Sequence, residues 1–188
     1  MRNITGCNFM LAPMTDRYED VIIPAIMKLD SSRVWSSTTK MGTVYRGRME
    51  DVMDAVGACF MYAWQEDVHM TLTMTLFQTE ESGNQDVVWS KEEGKANEAG
   101  TADIHFMTDC KFALYPLGQQ TYTDQITAVI GEAKKRGIYK AEMYGATVLK
   151  GDVHELFGFF EWAAEYCEQK PGKFAFEITM SVNSPSPD

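Results

Sequence analysis

The chain has 188 residues, of which 45% are hydrophobic, so it is long and apolar enough to bury a core. Its formal net charge of -10 opposes binding to nucleic acid and to anionic membrane surfaces. No apolar run has the length of a bilayer-spanning helix and the amino-terminal segment lacks a signal-peptide layout, so we expect a cytoplasmic protein without direct membrane insertion.

Along the first part of the chain, hydrophobic periodicity predicts a strand, a helix and two extended segments. The apolar run Phe9 to Met14 has the length of a buried strand. Apolar residues at helical spacing follow from Tyr18 to Leu29, where Pro24 predicts either a kink or a late start of the helix. The extended segments Arg33 to Ser37 and Thr43 to Gly47 then require a turn between them.

A second helix and an alternating strand complete this first unit. Residues 52–63 carry apolar side chains on one helical face. Residues 70–76 alternate Met or Leu with Thr, which is typical of a half-buried antiparallel strand. The following residues are polar and contain glycine, so we interpret 80–110 as a connecting segment, within which 86–89 is a candidate short strand.

The same elements recur in the same order in the second half of the chain. Phe112-Ala113-Leu114-Tyr115-Pro116-Leu117 repeats the first apolar run, and Thr147 to Gly151 repeats Thr43 to Gly47. The predicted elements of this copy are 112–117, 122–133, 138–142, 146–151, 153–167 and 174–182.

The repeated order βαββαβ predicts an α+β fold made by tandem duplication. With right-handed crossovers, each copy becomes a ferredoxin-like module, a four-stranded antiparallel sheet with two helices on one face. The modules are predicted at residues 1–79 and 111–188, the second ending in a short tail. The uncovered sheet faces are rich in Thr and Ser, so we expect them to meet another sheet or line a ligand cleft. Their extent predicts a homodimer.

The sequence offers little material for catalysis or for a metal site. It contains three histidines, and its four cysteines stand singly without C-x-x-C spacing. No nucleophile elbow, phosphate-binding loop or zinc-protease spacing occurs in the chain. We therefore expect no catalytic residues, no metal and no cofactor, and we interpret the cysteines as reduced core residues.

Five segments together resemble a known family. They are Phe9 to Met14, Val34-Trp35, Thr43 to Gly47, Phe112 to Leu117 and Ile178 to Ser186. In order and extent they resemble the YkoF-like family of thiamin and hydroxymethylpyrimidine-binding proteins. The resemblance implies a homodimer of tandem ferredoxin-like chains, with a pocket in each module for thiamin or its pyrimidine half. It also implies a link to an ABC-type transporter that takes up the pyrimidine precursor.

Candidate contacts for such a ligand occur at equivalent positions of both copies. An aminopyrimidine edge carries an amino donor beside ring-nitrogen acceptors, which strand backbone groups and one hydroxyl can satisfy. Thr43 and Thr147 begin equivalent strands and supply the hydroxyls. Leu11 and Leu114 mark the first strands, whose backbones would pair with the ring.

Aromatic and acidic residues complete the predicted sites. Trp35, Tyr115 and Tyr144 are candidates to lie against the pyrimidine or against a thiazolium cation. Glu142 would pair with the thiazolium or with an amino group, whereas the first copy has Thr38 at that position. The two pockets are therefore expected to differ in affinity or preference.

Two other functions stay open at this point. A tandem ferredoxin-like sensor of an amino acid or another small metabolite would need a pocket that holds an α-amino carboxylate, and the sequence has no paired basic and acidic residues at equivalent positions of both copies. An enzyme would convert a bound pyrimidine or thiamin, and no motif supports such chemistry.

Overall fold

The predicted helices and strands of both copies are present in a computed structural model, which describes residues 3–80, 86–118 and 122–186. The first unit contains β1 (Asn3–Pro13), α1 (Tyr18–Lys28), β2 (Trp35–Thr39), β3 (Gly42–Gly47), α2 (Met49–Ala63) and β4 (Met70–Glu80). The short helix α3 (Glu98–Thr101) follows. The second unit contains β5 (Met107–Leu117), α4 (Tyr122–Lys135), β6 (Tyr139–Met143), β7 (Ala146–Asp152), α5 (Val153–Glu168) and β8 (Lys173–Val182).

The two units join edge to edge in one sheet of eight antiparallel strands. Its order is β2-β3-β1-β4-β8-β5-β7-β6, so each half has the strand order of a ferredoxin-like module, as predicted. The junction is the pair β4 and β8, with Met70 opposite Val182 and Phe77 opposite Ala175. The fold is therefore a tandem of two modules that share a continuous sheet.

One face of this sheet carries the core, as the alternating residues predict. Leu72 and Leu76 of β4 and Phe176 and Met180 of β8 are buried, and Leu72 lies opposite Met180. Because cross-strand partners project from the same face, the core faces of both halves coincide and the helices cover one side of the sheet. The other side, which we call the open face, carries the Thr and Ser residues of β4 and β8.

The connection between the units is docked on the helices through Asn97, which is buried. Its side-chain amide donates hydrogen bonds to Asp54 Oδ2 at 2.7 Å and to the carbonyl of Asp30 at 3.0 Å. The Asp30 N–H in turn donates to Asn97 Oδ1 at 2.9 Å. The connection is thus fixed to the loop after α1 and to α2.

One sequence expectation needs correction, and one of the two alternatives at Pro24 is excluded. Residues 86–90 lie in neither a helix nor a strand, so the candidate strand at 86–89 is absent. Farther along the connection, side chains of the first unit hold the backbone: Arg33 donates to the carbonyl of Gly94 and Arg48 to that of Glu92. Pro24 does not delay the start of α1, since the helix begins at Tyr18 and contains the proline.

The first strand of each unit begins earlier than predicted, β1 at Asn3 instead of Phe9 and β5 at Met107 instead of Phe112. β5 begins at Met107, inside the predicted connection, while β4 ends at Glu80. Parts of the predicted modules and connection, at residues 1–2, 81–85, 119–121 and 187–188, lie outside the described residues. Across the described ranges, none of the helices combines the length and the apolar character that crossing a bilayer requires.

Candidate functional site

A cavity of about 400 Å³ lies in the first unit between α1 and the strands β1, β2 and β3. We call it the first pocket. Leu11 and Thr43 line it, and α1 contributes Ile22 and Ile26 as an apolar wall. At its polar end the hydroxyl oxygens of Thr38 and Thr43 are 3.0 Å apart in a hydrogen bond. The first pocket therefore joins an apolar wall to a pair of hydroxyls.

The second unit has a cavity of about 310 Å³ at the equivalent place, which we call the second pocket. Leu114 and Thr147 line it, and α4 contributes Ile126 and Ile130. Glu142 also lines it, directly opposite Thr147 in the β6–β7 pairing. Duplication of the fold has thus produced two pockets of matching construction.

In both units, the backbone of the first strand extends past its neighbour inside the pocket. β1 pairs with β3 only as far as Phe9, and β5 pairs with β7 only as far as Phe112. Leu11 and Leu114 lie just beyond these last pairs. In the described sheet, β1 and β5 have no other strand on that side, so the segments around the two leucines, which line the pockets, have no neighbouring strand there.

The two pockets differ in charge. Lys40 lines the first pocket and is exposed, whereas the second pocket has the exposed carboxylate Glu142. Thr38 occupies the place of Glu142 in the first unit, opposite Thr43. A cation is therefore favoured at the second pocket and disfavoured at the first.

Tyr45 and Cys59 form the buried end of the first pocket. The rings of Phe9 and Tyr45 pack with their centroids 5.0 Å apart. Burial raises the pKa of the Cys59 thiol to about 11, so this cysteine stays protonated at neutral pH and is a poor nucleophile. All four cysteines are free and buried, as expected from the sequence.

The sequence-predicted contacts divide into two groups. Those that the structure brings together in the pockets are Leu11, Thr43, Leu114, Glu142 and Thr147.

The three aromatic candidates lie elsewhere. Trp35 pairs with Arg46 on the open face, and the guanidinium carbon lies 3.8 Å from the ring centroid. Tyr115 is exposed with its hydroxyl 3.4 Å from Glu177. Tyr144 is fully exposed in the turn between β6 and β7.

Sequence reasoning missed the apolar walls of the pockets. Periodicity assigns Ile26 and Ile130 to the core faces of their helices, but both line pockets, and 57% of Ile26 is exposed. The sequence signal that could have identified Ile26 and Ile130 as pocket residues is their equivalent position in the two copies.

Potential metal ligands come together away from both pockets. Within the described ranges, His105, Asp152 and His154 form such a group. None of the three lines the first or the second pocket. His69, the remaining histidine of the chain, lies 3.2 Å from the hydroxyl of Ser181.

Comparison with known proteins agrees with this duplicated arrangement. The model of the YKOF-related family matches residues 4–79 and 107–187, one segment for each unit. The chain is also 32% identical over 184 residues to the "Putative HMP/thiamine-binding protein YkoF" of Bacillus subtilis (strain 168). That match covers 97% of this chain and 92% of the relative. The chain therefore belongs to the YkoF-related family.

Proposed function

We propose that each pocket binds thiamin or its hydroxymethylpyrimidine precursor, and that the protein supports uptake or salvage of thiamin precursors. The observation that carries this proposal is that Leu11 and Leu114 line equivalent pockets beside a threonine, on strand segments that lie beyond the last pair with the neighbouring strand. The name of the Bacillus subtilis relative, which refers to HMP and thiamine, supports the same ligand class.

The size and chemistry of the pockets suit this ligand. Their volumes of about 310 and 400 Å³ fall near the lower end of small-molecule sites, which span roughly 300–1,000 Å³. A strand edge offers alternating N–H donors and C=O acceptors, the pattern that an aminopyrimidine needs. The isoleucines of α1 and α4 would cover the flat face of the ring.

The proposal is for binding without conversion. The described residues of the pockets supply hydroxyls, one lysine and one glutamate, and neither pocket has a histidine or a reactive thiol in its lining. Mass spectrometry of the ligand after overnight incubation with the protein tests this point. A chemically altered ligand would support an enzyme instead.

The cellular context forms a further part of the proposal. We place the protein in the cytoplasm as a homodimer that acts together with an ABC-type transporter for the precursor. The transporter link rests on the resemblance to the family, and the dimer rests on the wide open face of the sheet.

Calorimetric titration with thiamin and with hydroxymethylpyrimidine tests the binding function directly. We expect saturable heat near two sites per chain. An analogue in which oxygen replaces the amino group of the pyrimidine reverses the donor pattern, so we expect it to bind about tenfold more weakly. Absence of heat with either ligand would overturn the proposal and favour a sensor of an amino acid or another small metabolite.

A further inference from the structure

Two of the three histidines in the chain meet at the point where the connection reaches the second unit. His105 stands just before β5, and His154 is in the first turn of α5. One side-chain donor atom from each of His105, Asp152 and His154 lies within 4.8 Å of the other two. Two imidazoles and a carboxylate are thus close enough to share one ion.

The hydrogen bond of His154 fixes which nitrogen is left for an ion. His154 Nε2 lies 3.0 Å from the carbonyl oxygen of Ile104. Because a carbonyl only accepts, Nε2 carries the proton and Nδ1 keeps its lone pair. A backbone carbonyl that holds the second ring nitrogen is the usual outer partner of a metal-binding histidine.

The other two donors are also held in position. Asp152 caps α5, and its Oδ1 accepts a hydrogen bond from the His154 N–H at 2.9 Å. Its Oδ2 lies 3.2 Å from His105 Nδ1, and the two imidazole rings have centroids 4.9 Å apart. The Val153 N–H donates to the carbonyl of Phe106 at 3.0 Å, which ties the segment bearing His105 to the helix bearing His154.

The surroundings leave room for further ligands. The His105 side chain is 61% exposed and that of Asp152 is 24% exposed, so water can complete the coordination of an ion. His105 and His154 also line a cavity of about 240 Å³ between α2, α3 and α5. An ion at this point would hold the connection against the second unit at one end of that cavity.

From this geometry we propose that His105, Asp152 and His154 form a binding site for a divalent transition metal ion of the Zn²⁺ type. Imidazole with one carboxylate suits Zn²⁺ and its neighbours, whereas Ca²⁺ and Mg²⁺ prefer oxygen ligands throughout. The positive end of the α5 dipole opposes a cation, so the affinity is lower than at a closed structural zinc site.

Calorimetry with ZnCl₂ on metal-free protein without a histidine tag tests the site. We expect one ion per chain, with binding weakened at least about tenfold by His105→Asn and by His154→Asn. Asp152→Asn is a third variant, because asparagine still caps the helix while removing the charge. His69→Asn is the matched control and should leave the affinity unchanged.

Thermal unfolding provides a second measurement. Zn²⁺ should raise the Tm of the wild-type protein and of His69→Asn, but not that of His105→Asn. Because the His105 side chain is exposed, we expect the His105→Asn variant to fold normally. Mg²⁺ should have no such effect. Lack of saturable Zn²⁺ binding, or equal binding by the wild-type and all three site variants, would overturn the proposal. Neither result affects the thiamin proposal, since the pockets are elsewhere.

Discussion

Thr73 of β4 lies directly opposite Thr179 of β8, and these threonines occupy equivalent positions in the two sequence copies. An approximate two-fold axis that relates the units therefore passes between them. The first and second pockets lie on opposite sides of this axis, separated by β4 and β8. The two pockets consequently share no lining residue and should bind independently.

Replacing the pocket threonines should weaken one site at a time. Thr43→Val and Thr147→Val each remove a hydroxyl while keeping a residue that suits a strand. Loss of one hydrogen bond costs about 1 kcal/mol, or roughly fivefold in affinity. Two-site calorimetry should show the change in only one of the two binding steps for each variant.

Thr75→Val is the matched control for these substitutions. Thr75 is exposed on the open face of β4, away from both pockets, so ligand affinity should not change. If neither pocket variant differs from the wild-type protein, the hydroxyls do not contact the ligand.

Glu142→Gln should change the affinity of the second pocket for thiamin but not for hydroxymethylpyrimidine. Thiamin carries a thiazolium cation and hydroxymethylpyrimidine does not, so loss of the carboxylate should weaken thiamin binding alone. Because Glu142 is exposed, we expect only a few-fold effect, which added salt should reduce. Calorimetry at two salt concentrations measures both changes.

The reciprocal change in the first pocket is Thr38→Glu. It places a carboxylate opposite Thr43 and should raise thiamin affinity there without improving the binding of hydroxymethylpyrimidine. An equal response of both ligands would mean that the charge does not contact the thiazolium.

Glu161 of α5 should make stability depend on pH. Burial raises the pKa of its carboxyl group above the ordinary value, although Lys95 Nζ lies 2.5 Å from Oε1 and opposes the shift. The folded protein therefore binds this proton more tightly than the unfolded chain does. The contribution of Glu161 thus favours folding at acidic pH and is lost as the pH rises through the raised pKa.

Urea unfolding of the wild-type protein and Glu161→Gln at several pH values measures this contribution. The stability of the wild-type protein relative to the variant should fall between the ordinary pKa of glutamate and neutral pH. Glu66→Gln, at an exposed position, should show no such trend. If the stability of the wild-type protein relative to the variant rises with pH over this range, the interaction with Lys95 outweighs the effect of burial on the pKa of Glu161.

The open face should mediate dimerisation. Phe77 lies there at the β4–β8 junction and is 39% exposed. Phe77→Glu adds a charge to this face and should shift the dimer towards monomer in light scattering. Tyr144→Glu, a change of an exposed aromatic residue in the β6–β7 turn, should leave the dimer intact. A monomeric wild-type protein at high concentration would contradict the expectation.

Much of the fold can be predicted from the sequence because the two faces of most strands differ strongly in hydrophobicity. Leu72 and Thr73 alternate clearly, and so do their equivalents in β8, which fixes the buried face of each. β2 lacks this contrast because its residues after Trp35 are all Ser or Thr. The sequence therefore does not determine which face of the sheet Trp35 occupies.

Other features depend on contacts that leave little trace in the sequence. The β4–β8 junction is made by backbone hydrogen bonds, which most residue types can form. Likewise, His105 and His154 are distant in sequence and come together only when the connection docks beside α5. Sequence spacing therefore predicted no metal ligands there.

Joining the modules through β4 and β8 also changes the edges that the sheet exposes. Two separate four-stranded sheets would have four edge strands, whereas the joined sheet, as far as the described residues form it, has two, β2 and β6. Both are short, at five residues each, which limits pairing with foreign strands. These same strands form the outer walls of the first and second pockets. A bound ligand would thus stabilise the two edge strands of the sheet. The resistance of the protein to aggregation would then depend on the supply of its ligand.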